Sequence, residues 1–385
     1  MIEFEANHHQ HQISASDFSF DRTADVRRLH RMLSAYAETP LTYLDQGIYV
    51  KDESKRFGIK AFKGLGGIYA MFRIICRELK LNPTETTLDI LLASPYRDRI
   101  QQMEFITTTD GNRGKGVSWS AGILGCKAHV YMPKGTVEVR AQAIRDAGNA
   151  DVTITDMHYD DCVAWTRELA EEKGWYLIQD TSWLGYEEVP LWIMRGYTTL
   201  FYEAITQMKE RPTHVFLQAG VGAMAGAIAA AAVETFQENP PIIATVESKE
   251  VACFYESFEH ADGVPHAATG TGETIMAGLN CAVPCMLAWD ILSGCAVGGF
   301  ACADEVTCHG MRLLHQARIT AGESGAVTVG LVNLLMRNPA YEGIKHQLCL
   351  TDDAVILLIN TEGDTDPESY QRIIAEADDD EVRAD

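Results

Sequence analysis

The chain has 385 residues, a length that exceeds one ordinary hydrophobic core and predicts about two domains. Apolar residues make up 46% of the sequence and charged residues 22%, which excludes a disordered or fibrous protein. The formal net charge of −22 argues against a nucleic-acid or membrane-surface partner, because both are anionic and need a positive protein face.

The N-terminal segment has no basic start followed by an apolar stretch, so we expect no secretory signal. The longest run without charged or strongly polar residues, 219–233, is too short to cross a bilayer. Ten cysteines without a CxxC pair favour reduced thiols and argue against a metal site. These features predict a cytoplasmic protein.

From about residue 88, short β-rich segments alternate with helical patterns. The predicted strands are 88–94, 103–109, 127–133, 150–156, 175–180, 213–220, 241–248 and 354–363. The predicted helices are 68–79, 114–125, 136–148, 159–174, 192–208 and a small-residue segment after residue 222. This alternation predicts an α/β fold with two domains, each a mostly parallel, open twisted sheet flanked by helices. We expect 1–87 with 183–385 to form the larger domain and 88–182 the smaller one.

A glycine-rich turn follows the predicted strand 213–220 and precedes the helix of small residues. Gly220, Gly222 and Gly226 would let backbone N–H groups approach a phosphate, and the helix offers its positive end. The turn also fits a dinucleotide fingerprint, because Glu247 ends the next strand where a ribose-binding acid would lie. A tight turn without a ligand is the remaining alternative. The pattern therefore favours a phosphate without identifying the ligand.

Three lysines lie close together in the stretch KRFGIKAFKGLGG. Lys55 and Lys60 have polar or charged neighbours, so we expect both to be solvated. Lys63 lies between Phe62 and an apolar helix, where burial and the positive helix end favour the neutral amine. The glycines that follow would leave room for a flat ring. A reactive lysine together with a phosphate-binding turn is the pairing that pyridoxal phosphate requires.

The segment AFKGLGG resembles the lysine motif of the fold-type II pyridoxal phosphate enzymes, which include the serine and threonine dehydratases and the tryptophan synthase β chain. Longer segments extend the resemblance from about residue 18 to 370 and narrow it to the diaminopropionate ammonia-lyases. These segments are TTTDGNRGKGVSWSA, VYMPKGT, QDTSWLGYEEVPLWIMRGY, PTHVFLQAGVGAMAG, TIMAGLNC, AGESGAV and NTEGDTD. The resemblance implies a fold-type II carbon–nitrogen lyase that binds pyridoxal 5′-phosphate and works as a homodimer.

The resemblance also implies which residues contact the cofactor. Lys63 would form the Schiff base beside Phe62, and Asn112 would bind the ring hydroxyl. The residues assigned to the phosphate are Gly220, Val221, Gly222, Ala223 and Met224. Thr361 and Glu323 are both open as partners of the ring nitrogen.

Substrate binding is assigned to Thr109, Asp110 and Asp180. Dehydratases have serine where Asp110 stands, and a carboxylate there fits a substrate with an additional cation such as a β-ammonium group. The implied reaction is the α,β-elimination of D- and L-2,3-diaminopropionate to pyruvate and two ammonia. Lys63 would remove the Cα proton from one enantiomer and Asp110 from the other. Asp180 or Lys63 would arrange protonation of the departing amine.

Three points stay open at the level of sequence. The alternative activity is that of a serine/threonine dehydratase-like lyase acting on another β-substituted amino acid. Arg113 stands where histidine usually follows the asparagine of this loop, and it either binds a carboxylate or lies in solvent. Cys253 and Cys281 fall in segments that the resemblance places near the active-site entrance, where they form either a disulfide or two thiols.

Overall fold

The computed structural model describes residues 1–109 and 111–376. The chain folds into two compact units. The larger unit comprises Met1–Phe20, Glu38–Lys55 and the chain from Leu200 onward, and the smaller comprises Asp21–Ala37 and Arg56–Thr199. Each unit is built around its own β-sheet.

The strands alternate with helices along most of the described chain. The strands are β1 (Ile2–Ala6), β2 (Leu41–Tyr43), β3 (Ile48–Asp52), β4 (Glu104–Thr108), β5 (Lys127–Met132), β6 (Ala150–Ile154), β7 (Tyr176–Leu177), β8 (His214–Gln218), β9 (Ile242–Ser248), β10 (Ala296–Cys302) and β11 (Ile356–Asn360). The helices are α1 (Ala24–Met32), α2 (Lys63–Leu79), α3 (Leu88–Leu92), α4 (Tyr96–Ile100), α5 (Asn112–Leu124), α6 (Glu138–Ala147), α7 (Tyr159–Lys173), α8 (Glu188–Gln207), α9 (Ala223–Phe236), α10 (Cys253–His260), α11 (Met286–Cys295), α12 (Asp304–Gln316), α13 (Glu323–Arg337), α14 (Glu342–Gln347) and α15 (Pro367–Ala375).

The larger unit contains a seven-stranded sheet in the order β1-β10-β9-β8-β11-β3-β2. Its five inner strands are parallel, and the two edge strands, β1 and β2, are antiparallel to their neighbours. Every residue of β8 and β11 is buried, as expected for strands covered on both faces. The smaller unit contains a parallel four-stranded sheet in the order β6-β5-β4-β7. The expected α/β class with two mostly parallel sheets is confirmed.

One predicted strand is wrong. Residues 88–94 contain α3, whose N-cap Thr87 accepts a hydrogen bond from the backbone N–H of Ile90 at 3.3 Å. Leu88 and Leu91 are buried whereas Ile90 is exposed, which is helical spacing. An apolar run of this length does not show its period clearly, and this explains the error.

Several boundaries also differ from those expected. The predicted strand 175–180 is paired only at Tyr176–Leu177, and the predicted helix 192–208 already begins at Glu188, with Pro190 tolerated in its first turn. The smaller unit includes α2, whereas we expected the smaller domain to begin at residue 88. Helix α2 packs closely on α5, since a Cβ at Gly67 would lie 3.4 Å from the carbonyl oxygen of Gly116.

Candidate active site

Lys63 is the first residue of α2 and is largely buried within the smaller unit, with 17% of its side chain exposed. Its Nζ donates a hydrogen bond to Asp180 Oδ2 at 2.7 Å and lies 5.3 Å from the ring centroid of Phe62. Packing between helices accounts for the nearby glycines. A Cβ at Gly66, for example, would lie 2.7 Å from the Tyr197 ring. These glycines therefore allow the close approach of neighbouring helices that places Lys63.

Asp180 follows β7 and is buried, with 1% of its side chain exposed. Burial alone would raise the pKa of this carboxyl group. The positive charges of Arg113 and Lys63 outweigh that effect and hold the pKa at about 2. Asp180 is therefore a carboxylate at neutral pH and ties α2 to α5.

The asparagine loop connects β4 to α5. Thr109 is buried, and its hydroxyl accepts hydrogen bonds from the backbone N–H groups of Gly111 at 2.9 Å and Gly114 at 3.1 Å. This bonding fixes the start of α5, where Asn112 and Arg113 are the first two residues. Thr109 as a substrate contact and Asn112 as a cofactor contact stay predictions. Asp110 lies outside the described residues.

Arg113 is largely buried inside the smaller unit. Of the two alternatives that the sequence left for it, a carboxylate partner and a solvated side chain, the structure agrees with the first. Its guanidinium forms an ion pair with Asp180 Oδ1. It also donates to the Thr108 carbonyl oxygen at 3.0 Å and to the Tyr159 hydroxyl at 3.3 Å. The carboxylate concerned belongs to the protein itself. Sequence reasoning did not anticipate this pairing, because nothing local links residues 113 and 180.

The glycine-rich turn in the larger unit joins β8 to α9. Gly222 has a φ of +86°, and a Cβ there would lie 2.4 Å from Phe254 Cζ, so only glycine fits. The first intrahelical bond of α9 runs from Gly226 N–H to the Gly222 carbonyl at 2.7 Å. The preceding amides, including those of Ala223 and Met224, have no acceptor inside the helix and form its positive end. This donor set fits the phosphate of the expected cofactor.

Glu247, whose position suggested a ribose-binding acid, instead forms hydrogen bonds within the protein. It is fully buried at the end of β9 and accepts hydrogen bonds from the backbone N–H groups of Phe254 at 2.9 Å and Tyr255 at 2.8 Å. Burial raises the pKa of this carboxyl group to about 8. Its contacts are those of a cap on α10, which weighs against the dinucleotide interpretation.

The two candidate partners of the ring nitrogen differ in their surroundings. Glu323 is the first residue of α13, and its carboxyl group accepts a hydrogen bond from the Ser369 hydroxyl at 2.7 Å. Thr361 directly follows β11 and is buried at the carboxyl end of a parallel strand, where α/β folds present functional side chains. The position of Thr361 favours it, and both assignments stay predictions.

Cys253 and Cys281, for which the sequence left a disulfide and two thiols open, are both thiols in this structure. Cys253 is buried, its Sγ lies 3.7 Å from the Gly220 carbonyl oxygen, and burial raises the pKa of the thiol well above its usual value. A Cβ at Gly220 would lie 3.3 Å from Cys281 Sγ, so both cysteines approach the glycine-rich turn. Thiol counting with and without reductant distinguishes the two alternatives.

Within residues 1–109 and 111–376, no group of three or more His, Cys, Asp or Glu side chains is arranged to hold a metal ion. The same residues include no helix that is both long and apolar enough to cross a membrane.

A lysine at a helix start in one α/β unit and a glycine-rich strand-to-helix turn in the other define the fold-type II class of pyridoxal phosphate enzymes. The sequence matches the family described as pyridoxal-phosphate dependent enzymes over residues 32–350. It is 44% identical over 368 residues to a diaminopropionate ammonia-lyase from Salmonella typhimurium, with 91% of each chain covered.

Solved structures give the same result. The diaminopropionate ammonia lyase from Escherichia coli in complex with D-serine is 40% identical and has a TM-score of 0.90, with 97% of both chains covered. A structure of that enzyme with an aminoacrylate-PLP azomethine reaction intermediate has a TM-score of 0.88 at the same identity and coverage. This chain therefore belongs to the diaminopropionate ammonia-lyase family of pyridoxal-phosphate-dependent enzymes. The expected family, fold class and cofactor are confirmed.

Proposed function

We propose that the protein catalyses the α,β-elimination of D- and L-2,3-diaminopropionate to pyruvate and two ammonia. The observation that carries the proposal is the buried contact between Lys63 Nζ and Asp180 Oδ2, at 2.7 Å. It places a nucleophilic amine beside a carboxylate that suits a cationic leaving group. Relatives named diaminopropionate ammonia-lyase, at 42–44% identity, support this reaction.

Pyridoxal phosphate would supply an electron sink that stabilises the carbanion left when the Cα proton departs. Lys63 would hold the cofactor covalently next to Phe62, and Asn112 would hold its ring hydroxyl. The amides of residues 220–224 would bind its phosphate, and Thr361 its ring nitrogen. The donors of the glycine-rich turn suit a phosphate because they are unused within α9.

The protein supplies the proton chemistry. Neutral Nζ of Lys63 would take the Cα proton from one enantiomer, and the carboxylate of Asp110 would take it from the other. Asp180, held as a carboxylate, would keep the β-amino group in its ammonium form until the Cβ–N bond breaks. The bonding electrons then leave with nitrogen as neutral ammonia, and the aminoacrylate product hydrolyses to pyruvate and a second ammonia.

The test is pyruvate release from purified, cofactor-loaded protein given D- or L-2,3-diaminopropionate, with L-serine and L-threonine in parallel. Rapid release from both diaminopropionate enantiomers and little from the hydroxy amino acids is the expected result. A preference for serine or threonine would instead favour the dehydratase-like alternative and refute the substrate assigned here.

We further propose that the chain works in the cytoplasm as a homodimer with only small-molecule amino-acid partners. The acidic charge of −22 disfavours nucleic acid and anionic lipid, and ten cysteines without a CxxC pair suit a reducing compartment. Light scattering on the purified protein tests the assembly, and a mass near 42.5 kDa, that of one chain, would contradict a dimer.

A further inference from the structure

Arg113 is fixed from three sides within the smaller unit, and only 11% of its side chain is exposed. One terminal nitrogen of the guanidinium forms the ion pair with Asp180 Oδ1. The other donates to the carbonyl oxygen of Thr108 in β4 and to the hydroxyl of Tyr159 in α7. Because the guanidinium has these other partners, it holds one oxygen of Asp180 in a defined place and leaves Oδ2 directed at Lys63.

Two cations face this buried carboxylate, and only one of them keeps its charge throughout a reaction. Lys63 must be uncharged whenever it acts as a nucleophile or takes up a proton. The guanidinium of Arg113 is not deprotonated in proteins. A carboxylate with 1% exposure that loses every countercharge takes up a proton, because burial disfavours its charged form.

We propose that Arg113 is a positioning residue, which keeps Asp180 an anion with Oδ2 directed at Lys63 whenever Lys63 is uncharged. The inference rests on the proposed function, in which Lys63 gives up its charge to bind the cofactor and to accept a proton. Asp180 then acts as an acceptor for a substrate ammonium group and never as a proton donor. Lys63 therefore performs the proton transfers near Asp180.

The remaining titratable groups that face Asp180 from the described elements are two tyrosines, Tyr186 before α8 and Tyr197 within it. Burial raises the pKa of both phenols, so both are neutral in the assay range. Tyr159 faces Arg113 rather than Asp180. Among the described groups around Asp180, the permanent positive charge is therefore that of Arg113.

The test is a double-mutant cycle on cofactor-loaded enzyme with Arg113→Met, Asp180→Asn and the double variant. Arg97→Met, at an exposed arginine of α4 in the same unit, is the matched control. We expect Arg113→Met to lower kcat/KM by about tenfold or more and to move the acidic limb of its pH profile upward. In the Asp180→Asn background, the same substitution should cost less than about twofold, since its target is gone.

Arg113→Lys keeps a positive charge and answers the case in which Arg113→Met does not fold. Lysine lacks the planar fork with which Arg113 contacts Asp180, Thr108 and Tyr159 at once. This variant should keep the acidic limb of the native pH profile and lose less kcat/KM than Arg113→Met. An Arg113→Lys variant whose acidic limb moves as far as that of Arg113→Met would overturn the inference, as would equal losses from Arg113→Met in both backgrounds.

A second readout needs no substrate. The visible absorption of the cofactor bound at Lys63 is titrated with pH, and Arg113→Met should move the midpoint upward by about one unit, because the carboxylate of Asp180 then has only the protonated group at Lys63 as its countercharge. The shift should be smaller when Asp180 is replaced by Asn. If this midpoint moves as expected but diaminopropionate is not consumed, the proposed function fails and the role of Arg113 stands. If diaminopropionate is consumed and neither the midpoint nor the cycle responds, the inference about Arg113 fails alone.

Discussion

Gly116 of α5 lies directly against the peptide unit of Lys63, so that a Cβ at position 116 would be 3.0 Å from both the Lys63 carbonyl carbon and the Gly64 nitrogen. These are backbone atoms of the first turn of α2 and cannot rotate away. The contact therefore sets where α2 begins, and with it the origin of the Lys63 side chain. Gly116 therefore helps to position the reactive lysine through the backbone of α2.

Gly116→Ala should push the start of α2 away from α5. Overpacking of this kind costs about 1–3 kcal/mol in the free energy of unfolding. We also expect a lower kcat, because Lys63 would no longer meet Asp180 at 2.7 Å. Urea unfolding and pyruvate release measure the two effects. Gly122→Ala in the same helix, where the nearest atom to an added Cβ is 3.4 Å away, is the control and should be nearly neutral in both assays.

Gly222→Ala should weaken cofactor binding. Position 222 requires a positive φ of +86°, and the new methyl group would meet the Phe254 ring at 2.4 Å, so the turn has to distort. We expect the dissociation constant for pyridoxal phosphate to rise by about tenfold or more, since misplaced amides lose their alignment with the phosphate. Fluorescence or absorbance titration measures it. Gly343→Ala in α14, where an added Cβ meets no atom within 4 Å, should leave the constant unchanged.

Lys63→Ala should abolish turnover while leaving the protein folded. The carboxylate of Asp180 keeps Arg113 as a partner, so the buried charge stays compensated. Circular dichroism and thermal unfolding would report a native fold, and pyruvate release would fall to background. Residual turnover above that of protein-free cofactor would show that another group performs the proton transfer.

Asp110→Asn should harm the use of D-diaminopropionate more than that of the L enantiomer. The reason is the assignment proposed above, in which Lys63 and Asp110 take the Cα proton from opposite enantiomers. Steady-state kcat/KM for each enantiomer gives the ratio directly. Equal losses on both enantiomers would contradict this assignment.

Much of the fold was predictable from local patterns. The alternation of β-rich and helical segments after residue 88 predicted two mostly parallel sheets, because strand and helix periods are properties of short windows. Lys63 and the turn at Gly220–Gly222 were identifiable for the same reason, since each combines an unusual residue with its immediate neighbours. The short edge strands β1 and β2 and the single-turn helix α3 carried too few residues to show a period.

The ion pairs around Asp180 could not be predicted from local sequence patterns. Lys63 and Arg113 lie on α2 and α5, and Asp180 lies in the loop after β7. Their pairing depends on how these segments pack rather than on spacing along the chain. The sequence marked Arg113 as a departure from the usual asparagine loop, but its partner emerged only with tertiary structure. Glu247 is the opposite case. Its place at a strand end resembled that of a ligand-binding acid, but its carboxyl group accepts hydrogen bonds from backbone N–H groups of α10.

The raised pKa of the buried Glu247 carboxyl group predicts that the free energy of unfolding depends on pH. Its folded-state pKa of about 8 lies above the value of about 4.3 for an unperturbed glutamate. Between these values the folded protein binds a proton that the unfolded chain does not. The stabilising contribution is therefore complete below the unfolded pKa and is lost as pH rises toward the folded pKa.

Glu247→Gln should flatten this dependence, since glutamine does not titrate. We expect the free energy of unfolding of the native protein to decrease between about pH 5 and pH 8, and the decrease to be smaller in the variant even where its absolute stability is lower. Urea unfolding of cofactor-loaded protein at several pH values measures the slope. Glu259→Gln, at an exposed position of α10, is the control and should keep the native slope. If the two variants had the same slope, the carboxylate of Glu247 would already be ionised in the fold, stabilised by the amides of Phe254 and Tyr255.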